Sequence, residues 1–136
     1  MSKPKLHFDV VTRERVVYSQ AADVISVPTE EGEISILPNH DTLVSIVVPG
    51  EIRITNGADR ISLAVKQGFL EVKNNIVTIL ADQAEQPWDI NIAEAERSRE
   101  EALAVISRHA NDDLSFEEAL TALEYARTRL KVAKKK

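Results

Sequence analysis

Three histidines, four glycines and a scatter of serines and acids are what this 136-residue chain offers for chemistry. Their spacing assembles little. His7, His40 and His109 are too far apart for a local metal motif, whose ligands sit a few residues from each other. His7 reads as the exposed side of a strand and His109 as a residue near a helix end. His40 belongs to the turn Leu37-Pro38-Asn39-His40, where a structural or contact role fits better than catalysis. No glycine-rich loop ends in Gly-Lys-Ser/Thr, so no phosphate cradle is present. Ser19, Ser26, Ser35 and Ser45 lie in strand-like runs without a nucleophile elbow. The acid pairs Glu30-Glu31 and Asp112-Asp113 read as solvated loop surface. Cysteine is absent, which excludes disulfides, thiolate metal sites and a cysteine nucleophile. Nothing places a nucleophile, a base and an orienting group together, so the expectation is a protein that is not an enzyme and has no cofactor or metal.

The elements that would position these groups fall into two halves with different periods. Residues 5–81 alternate: Leu6, Phe8 and Val10 against His7 and Asp9, then Val24-Ser26 and Ile34-Ile36. Ile52-Ile54, Ile61-Leu63-Val65, Phe69-Leu70-Val72 and Ile76-Val77-Ile79-Leu80 follow, rich in β-branched residues. Asn56-Gly57 and Asn74-Asn75 stand where tight hairpins need residues tolerant of positive φ. Pro28, Pro38 and Pro49 each predict a break, because proline cannot donate to a ladder. Turn signals every ~8–12 residues predict an antiparallel sandwich or barrel of about nine or ten short strands, ending near Ala81.

After Pro87 the period becomes helical. Asn91-Ile92-Ala93-Glu94 predicts a helix start, with Asn91 as cap and Glu94 reaching back to it. Ala95, Ala102, Val105 and Ile106 share one stripe. Asn111-Asp112-Asp113 marks a break, and Ser115-Phe116-Glu117-Glu118 is a second capping-box pattern. Phe116, Ala119, Leu120, Leu123, Ala126 and Leu130 then recur at spacings of three and four. Two such helices joined by about six residues form an antiparallel hairpin. Its alanine-rich face buries modest area, so the hairpin needs something to dock on. The expected division is a β-sandwich over 1–86 and a helical hairpin over 87–136, with Trp88 as the apolar plug between them.

Composition sets the class. Hydrophobic residues are 43% and charged residues 29%, ordinary for a globular chain. No apolar run is long enough to cross a bilayer. Met1-Ser2-Lys3-Pro4-Lys5 lacks the apolar stretch of a signal peptide. A net charge of -5 argues against nucleic-acid binding. The distribution is asymmetric: residues 89–124 are strongly acidic, whereas Arg127 to Lys136 holds bases and no acid.

Several stretches carry a family resemblance. Gly32-Glu33-Ile34-Ser35-Ile36-Leu37-Pro38-Asn39-His40-Asp41-Thr42-Leu43 resembles the GExxIxPxHxxL signature of epsilon subunits of F-type ATP synthases. Pro49-Gly50-Glu51-Ile52-Arg53-Ile54 resembles the following strand. Gly68-Phe69-Leu70-Glu71-Val72 with Asn75-Ile76-Val77-Thr78-Ile79-Leu80-Ala81-Asp82 resembles the family's later strands, with Gln67 where glycine is common. Phe116, Ala119, Ala122, Leu123, Ala126, Arg129, Leu130 and Val132 fit the second helix. The likeness covers nearly the whole chain in order.

The resemblance implies a sandwich that binds the gamma subunit and rests on the c-subunit ring, coupling proton-driven or sodium-driven rotation to the catalytic head. It implies a mobile hairpin that folds on the sandwich or extends to the catalytic beta and alpha subunits and restrains ATP hydrolysis. Carried over by position, Glu31, Gly32 and Glu33 match the loop facing the c ring. Pro38 and His40 match a nearby region between ring and gamma. Arg99, Arg108, Arg127, Arg129 and Lys131 are candidates for acidic surfaces on the catalytic subunits, Arg129 at a clear family position. The chain is then a monomer when isolated. It reaches the membrane only through the complex, on the cytoplasmic face of a bacterial plasma membrane or the stromal face of a thylakoid. The alternative is a nucleotide-sensing protein whose helical arm closes over ATP. Against it, the I/L-D-x-x-R-A motif of ATP-binding relatives becomes Ile90-Asn91-Ile92-Ala93-Glu94-Ala95, and Tyr125 stands where they carry a second arginine.

Overall fold

The structure is a computed structural model that describes residues 4–108 and 113–135. His109, the Asn111-Asp112 part of the expected break and Lys136 lie outside the described residues. Ten strands come first: β1 (Leu6–Val11), β2 (Val16–Ala22), β3 (Val24–Thr29), β4 (Gly32–Ile36), β5 (Leu43–Val47), β6 (Gly50–Asn56), β7 (Asp59–Val65), β8 (Gly68–Lys73), β9 (Ile76–Ala81) and β10 (Ala84–Glu85). A 3₁₀ turn at Pro87–Asp89 leads to helices α1 (Ile92–Arg108) and α2 (Asp113–Ala133). The strands thus run past Ala81, because Ala84 and Glu85 pair with Val65 and Ala64.

Pairing order is β10-β7-β6-β3-β5-β8-β9-β1-β2, with β4 beside β3. The path narrows at β3–β5 to the single pair Thr29–Val47, where it folds into two layers. One is β4-β3-β6-β7-β10 and the other β5-β8-β9-β1-β2. Pairing is antiparallel except between β1 and β9, which run parallel. Inward residues of both layers form one core, with Phe8, Ile25, Ile52, Leu63, Leu70 and Ile79 fully buried.

Backbone demands explain the turns. Asn74 and Asn75 have φ of 52° and 64°, and Gly57 has 62°, the left-handed values that tight hairpins require. Gly68 serves close approach instead: a Cβ there would lie 2.1 Å from the Leu80 carbonyl oxygen. Pro28 corrects the expected break, since it lies inside β3 opposite Glu33, and its carbonyl accepts from Val48 N–H at 3.1 Å. Its ring fills space that only Gly50 leaves free, as a Cβ at Gly50 would sit 2.9 Å from it. Asn91 caps α1 as expected, its Oδ1 accepting from Glu94 N–H at 2.9 Å. Ser115, by contrast, lies inside α2, which already runs at Asp113.

The α1–α2 hairpin lies against β7, β6 and the 3₁₀ turn. A small apolar cluster joins them: Ala64, Ile90, Tyr125, Val132 and Ala133. Trp88 is not part of it. At 64% exposed it faces solvent, and Ile90 at 4% is the plug. The 3₁₀ turn is instead pinned by polar contacts, Gln86 donating to Val17 O at 2.8 Å and Arg15 pairing with Asp89 at 3.1 Å.

Candidate functional site

The β3–β4 turn is built by Thr29, whose hydroxyl donates to Gly32 O at 2.7 Å and accepts from Glu31 N–H at 3.2 Å. Gly32 takes φ of 109° to close it. Glu31 and Glu33 are exposed, and Glu33 pairs with Arg53 on β6. The Pro38–His40 turn is separate. Asn39 has φ of 68°, and His40 N–H donates to Leu37 O at 3.2 Å. His40 Nδ1 lies 2.7 Å from Asp41 O; a carbonyl only accepts, so this nitrogen carries the proton. Asn39 N–H donates to Asn75 Oδ1 at 2.6 Å, which ties the turn to the β8–β9 hairpin. The two turns, expected to be neighbours, sit at opposite ends of β4. Four residue steps of extended chain put ~13 Å between the Cα atoms of Gly32 and Ile36.

The outer face of the β5-β8-β9-β1-β2 layer holds what the residue patterns did not single out. Register aligns Ile46 with Phe69, Phe69 with Leu80, Leu80 with Val11, and Val11 with Val16. This row is apolar across five strands. Phe69 is 61% exposed, Val16 and Leu80 nearly as much, and Val44 one step along is also bare. Contiguous exposed apolar surface of this kind marks an interaction site. The signal lay in the doublets Phe69-Leu70 and Ile79-Leu80, because a strand with one wet face alternates instead.

Where the hairpin meets the other layer, charge dominates. Arg129 on α2 is buried. Its Nη2 donates to Glu85 Oε2 at 3.2 Å, and its Nε lies 2.7 Å from Glu85 Oε1 without hydrogen-bond alignment. Glu94 of α1, instead of reaching back to Asn91, brings a carboxylate oxygen to 3.4 Å from Arg129 Nη1. Tyr125 donates its hydroxyl to Glu85 at 2.7 Å, and the guanidinium lies 5.7 Å from its ring centroid. Burial and the Glu85 charge push the Tyr125 hydroxyl well above its ordinary range. Burial opposes the charge of Arg129, but the hydrogen bond and charge of Glu85 outweigh it and raise its pKa. A second anchor joins Lys131 and Lys135 to Glu51 on β6, at 3.5 and 2.5 Å. Burial acts to raise the Glu51 carboxyl; hydrogen bonds from Lys135 and Ser62 and the two lysine charges hold it below its usual value.

The remaining candidate cations are solvated. Arg99 pairs with neighbouring Glu100 at 3.4 Å, Arg127 with Glu124 at 3.5 Å, and Arg108 donates to Ala104 O at 3.4 Å. Arg129 is the exception, withdrawn from solvent between the hairpin and the sandwich. Beside it lies a cavity of about 420 Å³ whose lining includes Glu14, Asp82, Glu85 and Glu94 against Arg15, Lys66 and Arg129. Four carboxylates facing three cations leave no net positive charge for a polyphosphate. Among the described residues, no group of three or more His, Cys, Asp or Glu could hold a metal, and no helix is long and apolar enough to cross a membrane.

Comparison with known proteins agrees with this architecture. The family ATP synthase, Delta/Epsilon chain, beta-sandwich domain matches residues 5–87. The chain is 39% identical over 132 residues to the ATP synthase epsilon chain of Dehalococcoides mccartyi, covering 97% of this chain and 94% of that one. It is 39% identical over 130 residues to the one from Halalkalibacterium halodurans, covering 96% and 98%. Among solved structures, a chain of the Euglena gracilis mitochondrial ATP synthase, OSCP/F1/c-ring, superposes with a TM-score of 0.77 at 21% identity. That match covers 98% of this chain and 84% of that one.

Proposed function

This chain belongs to the family of ATP synthase epsilon chains, non-catalytic subunits of that complex, and we propose that it joins the rotating central stalk to the ring beneath it. The observation that carries this reading is the apolar row Ile46–Phe69–Leu80–Val11–Val16. Its occupant is the gamma subunit, and the exposed Glu31-Gly32-Glu33 turn meets polar loops of the c ring. The Pro38–His40 turn, at the far end of β4, borders the gamma contact. Membrane attachment comes only through the complex. The test is reconstitution with Phe69→Asp and Leu80→Asp. Both side chains are mostly exposed, so the variants should fold, and both should fail to recover gamma in a pull-down from solubilised membranes. Full recovery would remove the row from the interface.

The hairpin acts as the regulator in this reading. Docked, it neutralises Arg129, Lys131 and Lys135 against Glu85 and Glu51. Released, it carries those three cations bare alongside Arg99, Arg108 and Arg127 toward acidic surfaces of the catalytic beta and alpha subunits. ATP hydrolysis by complexes rebuilt with the full chain should be slower than with residues 1–86. Equal rates would end the inhibitory role and leave the place in the stalk untouched.

A further inference from the structure

Arg53 of β6, Arg60 of β7 and Lys135 at the end of α2 line one cavity of about 420 Å³ on the outer face of the β4-β3-β6-β7-β10 layer. Hydroxyls of Ser26, Thr55 and Ser62 share the lining, and no carboxylate does. In a chain of net charge -5, a recess lined by three cations and no anion stands apart. Arg53 and Lys135 are each held from outside the recess, by Glu33 and by Glu51. Arg60 has no ion pair among the described residues, so its guanidinium keeps all its donors for a ligand. The volume falls in the range of small-molecule sites. Guanidinium groups and hydroxyls together match the tetrahedral oxygens of a phosphate group, which a guanidinium engages in bidentate fashion.

We propose that this recess binds a phosphate-bearing anion of pyrophosphate size. Arg60 is the principal contact, Arg53 the second cation, and the hydroxyls of Ser26 and Thr55 donate to the remaining oxygens, while that of Ser62 stays on Glu51. Two of its cations come from the sandwich and one from the hairpin. The anion therefore favours the docked hairpin, because a ligand held by both parts stabilises the state in which they are together. The cavity lined by Glu85 and Arg129 is a different one, and the site needs only the docked conformation, whatever the hairpin does to hydrolysis.

The experiment is titration of the isotope-labelled full chain with sodium pyrophosphate at fixed ionic strength, followed by amide shifts. Saturable shifts are expected at residues 24–26, 53–55 and 60–62. Arg60→Ala should weaken binding about tenfold, or ~1.4 kcal/mol, and Lys135→Ala should weaken it severalfold. Arg13→Ala, on the β1–β2 turn, should leave it unchanged. A parallel titration with ATP separates the sources. Shifts of the same amides assign a nucleotide's phosphate chain, their absence assigns the free inorganic anion, and either supports a phosphate site. Equal binding by Arg60→Ala and the parent, or shifts scattered over unrelated lysines and arginines, would overturn the site. Unaltered affinity in Lys135→Ala would overturn the link to the hairpin.

Discussion

Replacing Glu85 with alanine should release the hairpin without unfolding the sandwich. The Arg129 side chain is 8% exposed and that of Glu85 19%, so the pair is shielded from solvent. Removing one partner of a buried pair typically costs ~3–5 kcal/mol. Glu94 stays at 3.4 Å and offsets part of the loss, which places the cost near ~3 kcal/mol, about a hundredfold shift in equilibrium. Tyr125 loses its acceptor as well, adding ~1 kcal/mol. The chain can escape this cost by undocking, which hydrates Arg129. The sandwich core contains neither Glu85 nor Arg129, and its unfolding should be unaffected. Hydrogen exchange reads both outcomes. Amides of α2 from Ala119 to Ala133 should lose up to about a thousandfold protection, while β8 and β9 keep theirs. Glu85→Leu with Arg129→Leu should restore much of the docking, since an apolar pair leaves no charge unpaired. Unchanged α2 protection in Glu85→Ala would refute the clasp, and loss of protection in β8 and β9 would refute the independence of the two parts.

Glu51 has a depressed pKa in the docked state, so its contribution is present above the ordinary carboxylate value of 4.5 and is lost as pH falls through the lower docked value. Exchange measured across pH should show α2 docking weaken in acid below that value. Tyr125 gives the opposite edge: its raised pKa contributes below 10 and loses that contribution above it, so the same experiment should show weakening in strong alkali. Gly68→Ala should destabilise the sandwich by ~3 kcal/mol or more in urea unfolding, because its Cβ would overlap the Leu80 carbonyl, which the strand cannot move cheaply. Asn91→Ala should cost ~1 kcal/mol of α1 stability by removing the cap on Glu94 N–H, with fraying of the first turn visible by exchange.

How much of this was legible in the residues follows from the range of the interactions. Alternation and turn chemistry are local, so the strands, the hairpins at Asn56-Gly57 and Asn74-Asn75, and the Asn91 cap could all be read directly. Pro28 was misread because a proline inside a strand needs a neighbour with no side chain, and Gly50 is 22 positions away. Trp88 was misread because a large aromatic at a junction suggests a plug, while the smaller Ile90 fits the space beside Ala64. Glu94 satisfies a capping-box pattern, yet a buried guanidinium is the stronger attraction for its carboxylate. The clasp itself joins residues 44 apart, and no local pattern reports which of the chain's many acids Arg129 will meet. The apolar row depends on register between five strands, two of them parallel neighbours from opposite ends of the sandwich sequence.

For the release proposed above, the balance between docked and released hairpin would rest on where the two kinds of charge pair sit. The apolar contact is small and supplied largely by alanines, Val132, Ile90 and the ring of Tyr125. It cannot by itself hold a 17-residue and a 21-residue helix in place. Arg129 with Glu85 is buried and little screened by salt, so it sets which geometry is docked. Lys131 and Lys135 are 66% and 43% exposed, and their attraction to Glu51 fades as ionic strength rises. One anchor thus fixes position and the other answers to surroundings. A basic end that is satisfied by the sandwich's own carboxylates can exchange them for carboxylates on another subunit at little net cost. In the proposed regulation, that exchange would let the same residues serve two packings of similar energy.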